Sequence, residues 1–409
     1  MSLFGLFERR ASVEDPAVPL TSPTLLELLG GAPTEAGVPV TPTGALAMPA
    51  VWRCVALISS VSASLPLHTY RGRDRERTEN RLLADPHPEL TPYDLWRITY
   101  VHRCLWGNAY LQKVRHVGSG QVVELWPIRP ERVRVGQVSP AEVPGGKVFE
   151  VTDDEGRTHV LTSADVLHLP GLGYDGITGV SPIRAAQQGI GMGLAAEQAA
   201  ARFFGSGNML GGILQTEQRL TAEQAEALKA RWQAKVGGVG HAHEIAVLDS
   251  GASFQPIGVP NRDAQFLESR QFQVIEIARM FGVPPFLLME TDKATSWGTG
   301  LEQQALGFVQ FDLHPTWLRP TEQRVTKGLL PRGTYAEYAV EGLLRGDSRS
   351  RAEFYRAMRE LGVYSANDIR RLENLPPIPG GDTYIQPLNM GPLGAAGQDS
   401  EGGDADRTQ

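Results

Sequence analysis

Residues 181–207, SPIRAAQQGIGMGLAAEQAAARFFGSG, and residues 263–281, DAQFLESRQFQVIEIARMF, set the architecture. Ser181 is a helix N-cap and Pro182 a first-turn proline. Apolar residues follow at Ile183, Ala186, Ile190 and Leu194, and the pattern runs to Phe203-Phe204 before Gly205 and Gly207 end it. The second stretch carries its stripe on Leu267, Val274, Ala278 and Phe281, and Gly282 with Pro284-Pro285 stops it. Between the two lies a small unit. Strand Gly212 to Leu214 leads to a capping box, Thr221 to Gln224, which starts a helix with Ala225, Leu228, Trp232 and Val236 on one face. Gly237-Gly238 ends that helix, and Glu244 to Leu248 reads as the returning strand. A chain that leaves and re-enters through paired helices suits a stalk with a compact module at its tip. Gly189, Gly191 and Gly193 each cost the first helix about 1 kcal/mol relative to alanine, so close approach of another backbone is expected there.

On the N-terminal side of this pair, Pro49 to Ser64 has helical spacing and Leu67 to Tyr70 reads as a strand. RGRDRERTENR (71–81) is a solvated turn, because Asp74, Glu76 and Glu79 interleave with its arginines. Thr91 to Leu105 is helical; Ala109–Arg115 and Val122–Trp126 form a hairpin around HVGSGQ. Short strands near Phe149–Val151, His159–Leu161 and Val166–Leu169 extend an α+β segment to Pro170. On the C-terminal side, FLLMETDKATSWGTG (286–300) is an irregular polar loop. A helix from Leu301 continues past Pro315 and Pro320 to Leu330, then come strand Thr334–Tyr338 and short helices Arg349–Leu361 and Ala366–Glu373, the last capped by Ser365. Residues 11–47 lack a hydrophobic period and predict a flexible arm; residues 391–409 predict an acidic, disordered tail.

Of 409 residues, 39 are Lys or Arg and 46 Asp or Glu, a net charge of −7, which argues against a surface that grips nucleic acid throughout. Two cysteines, Cys54 and Cys104, build neither a disulfide framework nor a four-ligand zinc site, and both sit in apolar stretches as buried thiols. No stretch reaches the ~18 apolar residues of a membrane span, and MSLFGLFERR has its arginines on the wrong side for a secretory signal. No P-loop and no G-x-S-x-G elbow occur. Gly171 to Gly176 (GLGYDG) matches G-x-G-x-x-G after a strand, but Ile177-Thr178-Gly179 continues as loop where a dinucleotide site needs a helix at once. His241 and His243 lack a third metal ligand and read as loop histidines. No cofactor or metal is expected.

Seven stretches carry a resemblance: MPAVWRCVALISSVSASLPLHTY (48–70), LWGNAYLQKVR (105–115), VVELWPIRPERV (122–133), DVLHLPGLGYDGITGVSPI (165–183), AARFFGSGNMLGGIL (200–214), DAQFLESRQFQVIEIARMFGVPPFLL (263–288) and NDIRRLENLPPIPGGD (367–382). In this order they resemble the portal (head–tail connector) proteins of tailed double-stranded DNA bacteriophages, a family also used by gene transfer agents. The resemblance implies an α+β portal fold assembling as a ring: arm (1–47), wing (48–180), stem helices (181–207 and 261–285), a small α/β clip (208–260), tunnel loop (286–300), tunnel helix and wing return (301–346), crown (347–390) and tail (391–409). It implies a twelve-subunit channel at one capsid vertex of the virion, assembled in the host bacterial cytoplasm. Double-stranded DNA would be packaged and ejected through it. The implied partners are the terminase large subunit, which supplies ATP hydrolysis, the major capsid protein and a head-completion or adaptor protein, with no membrane and no catalysis by the chain itself. The alternatives are an enzyme holding a phosphate-bearing ligand on Gly171–Gly176 and a capsid adaptor without a DNA passage.

A ring subunit must bury stem surface laterally through head-to-tail contacts, and Gly189, Gly191 and Gly193 suit tight helix packing. DNA carries one charge per about 1.7 Å of axis, so an acidic ring holds it weakly and favours sliding. Lys293, with Thr295, Ser296 and Trp297, is the candidate ring of light phosphate contacts in the bore, set against a plain solvated loop lysine. Gln215, Glu217, Gln218 and Arg219 are the candidates for motor docking on the clip. Crown arginines Arg349, Arg351, Arg356, Arg359, Arg370 and Arg371 could touch DNA, but Glu353, Glu360 and Glu373 make a mixed solvated face equally compatible with the pattern.

Overall fold

The computed structural model describes residues 34–205, 212–215, 221–236, 253–256, 262–290, 299–340, 343, 348–373 and 375–385. The chain divides into two compact units, Met1–Ala339 and Val340–Gln409.

The first unit is organised by strand β3, Asn108–Arg115, which is buried on both faces in its first half. It pairs antiparallel with β4, Val122–Ile128, and with β8, Val166–Pro170, setting Tyr110 opposite both Ile128 and His168. Because strand side chains alternate, Ala109 and Leu111 face one way and Tyr110 the other. The first face packs with Leu95, Trp96, Leu167 and Val325 into the main core. Tyr110 instead meets Phe149 and Val166 in a second core. Phe149 belongs to the sheet of β5 (Val133–Gln137), β6 (Lys147–Thr152) and β7 (Thr158–Thr162). A third sheet joins β1, Leu67–Arg71, to β2, Glu76–Thr78, and to β11, Thr334–Tyr338, with Leu67 opposite Tyr338. The late strand β11 therefore returns to pair with β1 near the start of the described chain.

Helix α1, Pro49–Ser64, packs against α2, Pro92–Trp106. Thr91 caps α2 by accepting from Asp94 N at 3.2 Å, Pro92 follows in its first turn, and Gly107 ends it in the left-handed region. Helix α3, Gln187–Gly205, contacts α5, Arg262–Phe281, and α5 also contacts α1. Between α3 and α5 lie β9, Gly212–Gln215, helix α4, Ala222–Val236, and β10, Ser253–Pro256; β9 and β10 pair antiparallel, Leu214 opposite Phe254. The α4 capping box forms as expected, with Thr221 N donating to Gln224 Oε1 (3.0 Å) and Gln224 N to Thr221 Oγ1 (3.3 Å).

Three expectations change, and one lies outside the described residues. Residues 34–47 are not free arm, since Val40 and Ala45 are buried and Gly44–Ala47 forms a 3-10 turn. The first stem helix is interrupted: Ser181 caps a single turn, Pro182–Ala185, Ala186 leaves helical geometry (φ −103°, ψ 17°), and α3 begins at Gln187. The strand expected at Glu244–Leu248 lies outside the described residues, and β9 takes Ser253–Pro256 as its partner. Within the 286–300 loop, a 3-10 turn spans Pro285–Leu288 and a helix begins at Thr299.

The second unit contains α8, Ser348–Glu360, and α9, Ala366–Leu372. Ser365 and Asp368 close a full capping box on α9. Asn367 ties down the LPPIPGG segment, accepting from Ile378 N at 2.8 Å and donating from Nδ2 to Ile378 O at 3.1 Å.

Candidate functional site

The turn between α2 and β3 meets the Gly179–Ser181 segment at a backbone crossing. Gly107 has φ +72°, and a Cβ there would overlap the carbonyl of Val180 and the amide of Ser181. Next to it, Asn108 Oδ1 accepts from Gly179 N at 2.7 Å and Nδ2 donates to Gly179 O at 2.7 Å. Ser181 Oγ donates to Leu105 O at 2.6 Å. His168 Nε2 lies 3.0 Å from Asn108 Oδ1. That oxygen is an acceptor, so Nε2 carries the proton and Nδ1 is buried without a partner. Burial, with Lys147 and Arg324 nearby, pushes the His168 pKa down to about 3, and burial lowers His102 to about 4. Both are neutral at pH 7. Their native pKa values lie below the usual 6.5, so the unfolded chain binds more protons in acid. Stability is therefore fully present above pH 6.5 and is lost as pH falls toward 3–4, by up to ~1.4 kcal/mol per pH unit for each histidine. Melting temperatures recorded from pH 7 to pH 4 should fall steadily, and a His168→Gln variant should lose part of that slope.

The Gly171–Gly176 loop belongs to this crossing. Asp175 Oδ1 accepts from Ile177 N (2.8 Å) and Thr178 N (3.0 Å), Lys147 Nζ donates to Ile177 O at 2.6 Å, and Val180 N donates to Leu172 O at 2.7 Å. Two loop N–H groups that a phosphate would need are taken by a carboxylate, and these bonds hold Asp175 below the usual carboxylate range. The next helical turn starts only at Pro182. Phosphate binding by this loop is not favoured.

Along the stem, the three glycines have different surroundings. A Cβ at Gly193 would lie 2.5 Å from Met48 Cε and 3.4 Å from Gln273 Oε1 of α5; one at Gly191 would lie 2.5 Å from Thr34 Cγ2; Gly189 has no atom within 4 Å. The neighbours at Gly191 and Gly193 are side chains of the same chain, not the second backbone expected there. Helix α5 ends in a Schellman arrangement, with Val283 N donating to Ala278 O (2.9 Å) and Gly282 N to Arg279 O (3.2 Å). A Cβ at Gly282 would overlap the Asp312 carboxyl, so α5 ends directly against the tunnel helix.

That helix comprises α6, Thr299–Gly307, a π-helical stretch, Phe308–Leu318, and α7, Arg319–Leu329. Pro315 and Pro320 cannot donate to the preceding turn, so carbonyls there lose their ordinary partners. Thr316 O, four residues before Pro320, is one of them, and Arg103, fully buried on α2, donates to it from Nη2 (3.1 Å), while Nη1 donates to Trp317 O (2.7 Å) and Thr321 Oγ1 (2.9 Å). Its guanidinium lies 5.3 Å from the Trp317 ring centre and 5.6 Å from that of Tyr100. One turn on, buried Glu322 accepts from Tyr338 N (2.9 Å) and Arg319 Nη1 (3.0 Å), binding α7 to β11. Sequence inspection does not single out Arg103 or Glu322. Two prolines inside a continuing helix signal that donors are needed, without naming them.

Lys293, Thr295, Ser296 and Trp297 lie outside the described residues, as do Glu217, Gln218, Arg219, His241 and His243. Gln215 is exposed, paired with Ser253. Several crown arginines are engaged within their own unit: Arg351 with Glu373 (3.5 Å), Arg371 with Asp368 (2.9 Å) and Arg370 Nε with Pro376 O (2.7 Å). Burial pushes the Cys54 thiol up to about 12 and raises that of Cys104 as well. Among the described residues, no group of three or more His, Cys, Asp or Glu could hold a metal ion, and no helix is long and apolar enough to cross a membrane.

What this geometry defines is an α+β chain of small antiparallel sheets braced by helices, with α3 and α5 flanking the β9–α4–β10 unit. The chain belongs to the phage portal protein family, whose model matches residues 49–374. It is 34% identical over 367 residues to the portal protein of Enterobacteria phage HK97, covering 86% of this chain and 84% of that protein. It is 36% identical over 387 residues to the probable portal protein of Streptomyces phage phiC31, covering 89% and 83%. In fold it is similar to the crystal structure of an HK97-family phage portal protein from Corynebacterium diphtheriae (TM-score 0.58, 17% identity, 75% of this chain and 97% of that one). It is also similar to a chain in the neck of a native gene transfer agent particle computed with C12 symmetry (TM-score 0.54, 22% identity, 82% and 91%).

Proposed function

We propose that copies of this chain close into a ring, of twelve by analogy with the C12 neck, around a passage for double-stranded DNA at one capsid vertex. The reading is carried by the family match over residues 49–374. Closure by rotation requires heterologous contacts, and the exposed Trp52 on α1 and Phe272 on α5 are apolar surface available for them. The clip, with Gln215, Glu217, Gln218 and Arg219, would face the terminase during packaging and a head-completion protein afterwards; the wing would face the major capsid protein. The chain serves as a conduit and the motor supplies the energy. Negative-stain electron microscopy of the purified protein should show rings with a central hole, and particles that stay monomeric at every concentration would overturn the reading.

Lys293, Thr295, Ser296 and Trp297 would supply the bore's light contacts to the phosphate backbone. Each lysine–phosphate contact adds sequence-independent affinity that weakens with salt. Lys293→Glu should therefore shorten the packaged genome without altering ring formation, as measured by pulsed-field sizing of particle DNA. Unaltered genome length would leave Lys293 as a solvated loop lysine.

A further inference from the structure

Resting on the ring reading above, we propose that the Gly171–Gly176 loop is a docking knob, pressing Leu172 and Tyr174 against a socket on the neighbouring copy made by Trp52, Arg53 and Met289. The loop projects its apolar side chains into solvent, with Leu172 85% and Tyr174 91% exposed. Its backbone, by contrast, is fixed. Gly171 N donates to Gly107 O at 2.7 Å and Val180 N to Leu172 O at 2.7 Å, while the Asp175 carboxylate holds the amides of Ile177 and Thr178. A Cβ at Gly173 would overlap the Thr178 carbonyl, so the turn is closed on itself. Large side chains on a fixed turn have little backbone freedom left to lose on docking, and anchor residues gain affinity in this way.

The socket is a separate observation on different elements. Arg53 Nε, on α1, donates to Leu287 O at 3.2 Å and so fastens α1 to the 3-10 turn Pro285–Leu288. Met289 follows that turn at φ +65°, with its side chain 80% exposed. Among the described residues one other non-glycine residue has positive φ, Arg75 in the β1–β2 turn. A left-handed backbone is unfavourable for methionine, and strain of this kind clusters at functional contacts. Trp52, next to Arg53 on α1, is 60% exposed. Arg53 is exposed too, and no carboxylate among the described residues pairs with it. The knob carries a carboxylate, Asp175, whose neighbouring cation Lys147 is committed to Ile177 O at 2.6 Å. Knob and socket therefore match in charge as well as in apolar content. They are unlike surfaces on one chain, which a ring closed by rotation requires: each copy gives its knob to one neighbour and its socket to the other.

The test uses the full chain. Native Cys54 and Cys104 are buried with raised pKa values, so they add little background to thiol chemistry. Tyr174→Cys with Trp52→Cys in one chain should give, with a short bis-maleimide, a ladder of covalent oligomers on a denaturing gel. Chains with Tyr174→Cys alone, mixed before assembly with chains carrying Trp52→Cys alone, should stop at the dimer, because each has one reactive neighbour. Leu172→Ser with Tyr174→Ser should raise the concentration needed for rings more than about tenfold. The melting temperature of the unassembled protein should not change, since both side chains lie in solvent. Rings of normal yield without the ladder, or an unchanged threshold in the serine variant, would overturn this pairing and leave the ring reading intact. An unmodified protein that stays monomeric at every concentration would overturn both. A double-cysteine chain cross-linked only within itself would also overturn the proposal, because knob and socket would then face each other in one copy.

Discussion

Replacing Arg103 with methionine is expected to lower the stability of the wing-bearing unit by about 3 kcal/mol. Methionine approximates the buried length of the arginine stem but donates nothing. Thr316 O then has no donor from Arg103, and Pro320, four residues on, has no N–H to offer it. Trp317 O also loses Arg103 Nη1, though Thr321 Oγ1 still donates to it at 2.9 Å. Relief from burying a guanidinium offsets part of the loss, which keeps the figure below the sum for two stranded acceptors. In a unit of this size the change corresponds to a drop in Tm of about 5 °C, readable by differential scanning fluorimetry. Arg103→Lys should recover less than half of it, because one ammonium cannot serve two carbonyls and a hydroxyl with the geometry of a planar fork. A methionine variant melting with the wild type would show that the π-helical stretch holds itself without the clamp.

The larger effect belongs to Gly107. Alanine at φ +72° carries about 1–2 kcal/mol of backbone strain, and its methyl would also overlap the Val180 carbonyl and the Ser181 amide. Neither obstacle is the free end of a side chain, so the crossing of wing and stem must open. A loss above ~4 kcal/mol is expected, seen as failure to recover soluble protein, or as a urea midpoint far below the wild type in what is recovered. Gly120 separates the two causes. Its φ is +67° but nothing lies within 4 Å, so Gly120→Ala should cost only the backbone strain, about 1–2 kcal/mol. Equal effects at the two glycines would show that strain alone matters and that the crossing yields.

Elements with local causes are legible in the sequence. Thr91, Thr221 and Ser365 each accept from an amide three residues on, and the helices they start occur where their caps predict them. The hairpin of β3 and β4 and the return strand near Tyr335 are readable from alternation and turn residues. Partners distant in sequence are not. Ser253–Pro256 is too short to announce a strand until β9 pairs with it. Residues 34–47 resemble a linker until Val40 and Ala45 are seen to be buried. The break at Ala186 lies inside an unbroken apolar pattern, and the stripe alone cannot register it. At the candidate site, the glycine and proline positions are visible, but what serves them is not: Thr34 at Gly191, Met48 at Gly193, and Arg103 at the Thr316 carbonyl four residues before Pro320.

Amino-acid order alone specifies the α+β class and the phage portal family, because periodicity, caps and motif order are properties of neighbouring residues. It takes the folded chain to reveal that GLGYDG is a closed backbone crossing, that two stem glycines are filled from within the chain, and that a cation 214 residues away in sequence supplies the donors the tunnel helix lacks. Those outcomes depend on which buried polar groups find partners once the chain is compact, and spacing along the chain does not encode that pairing.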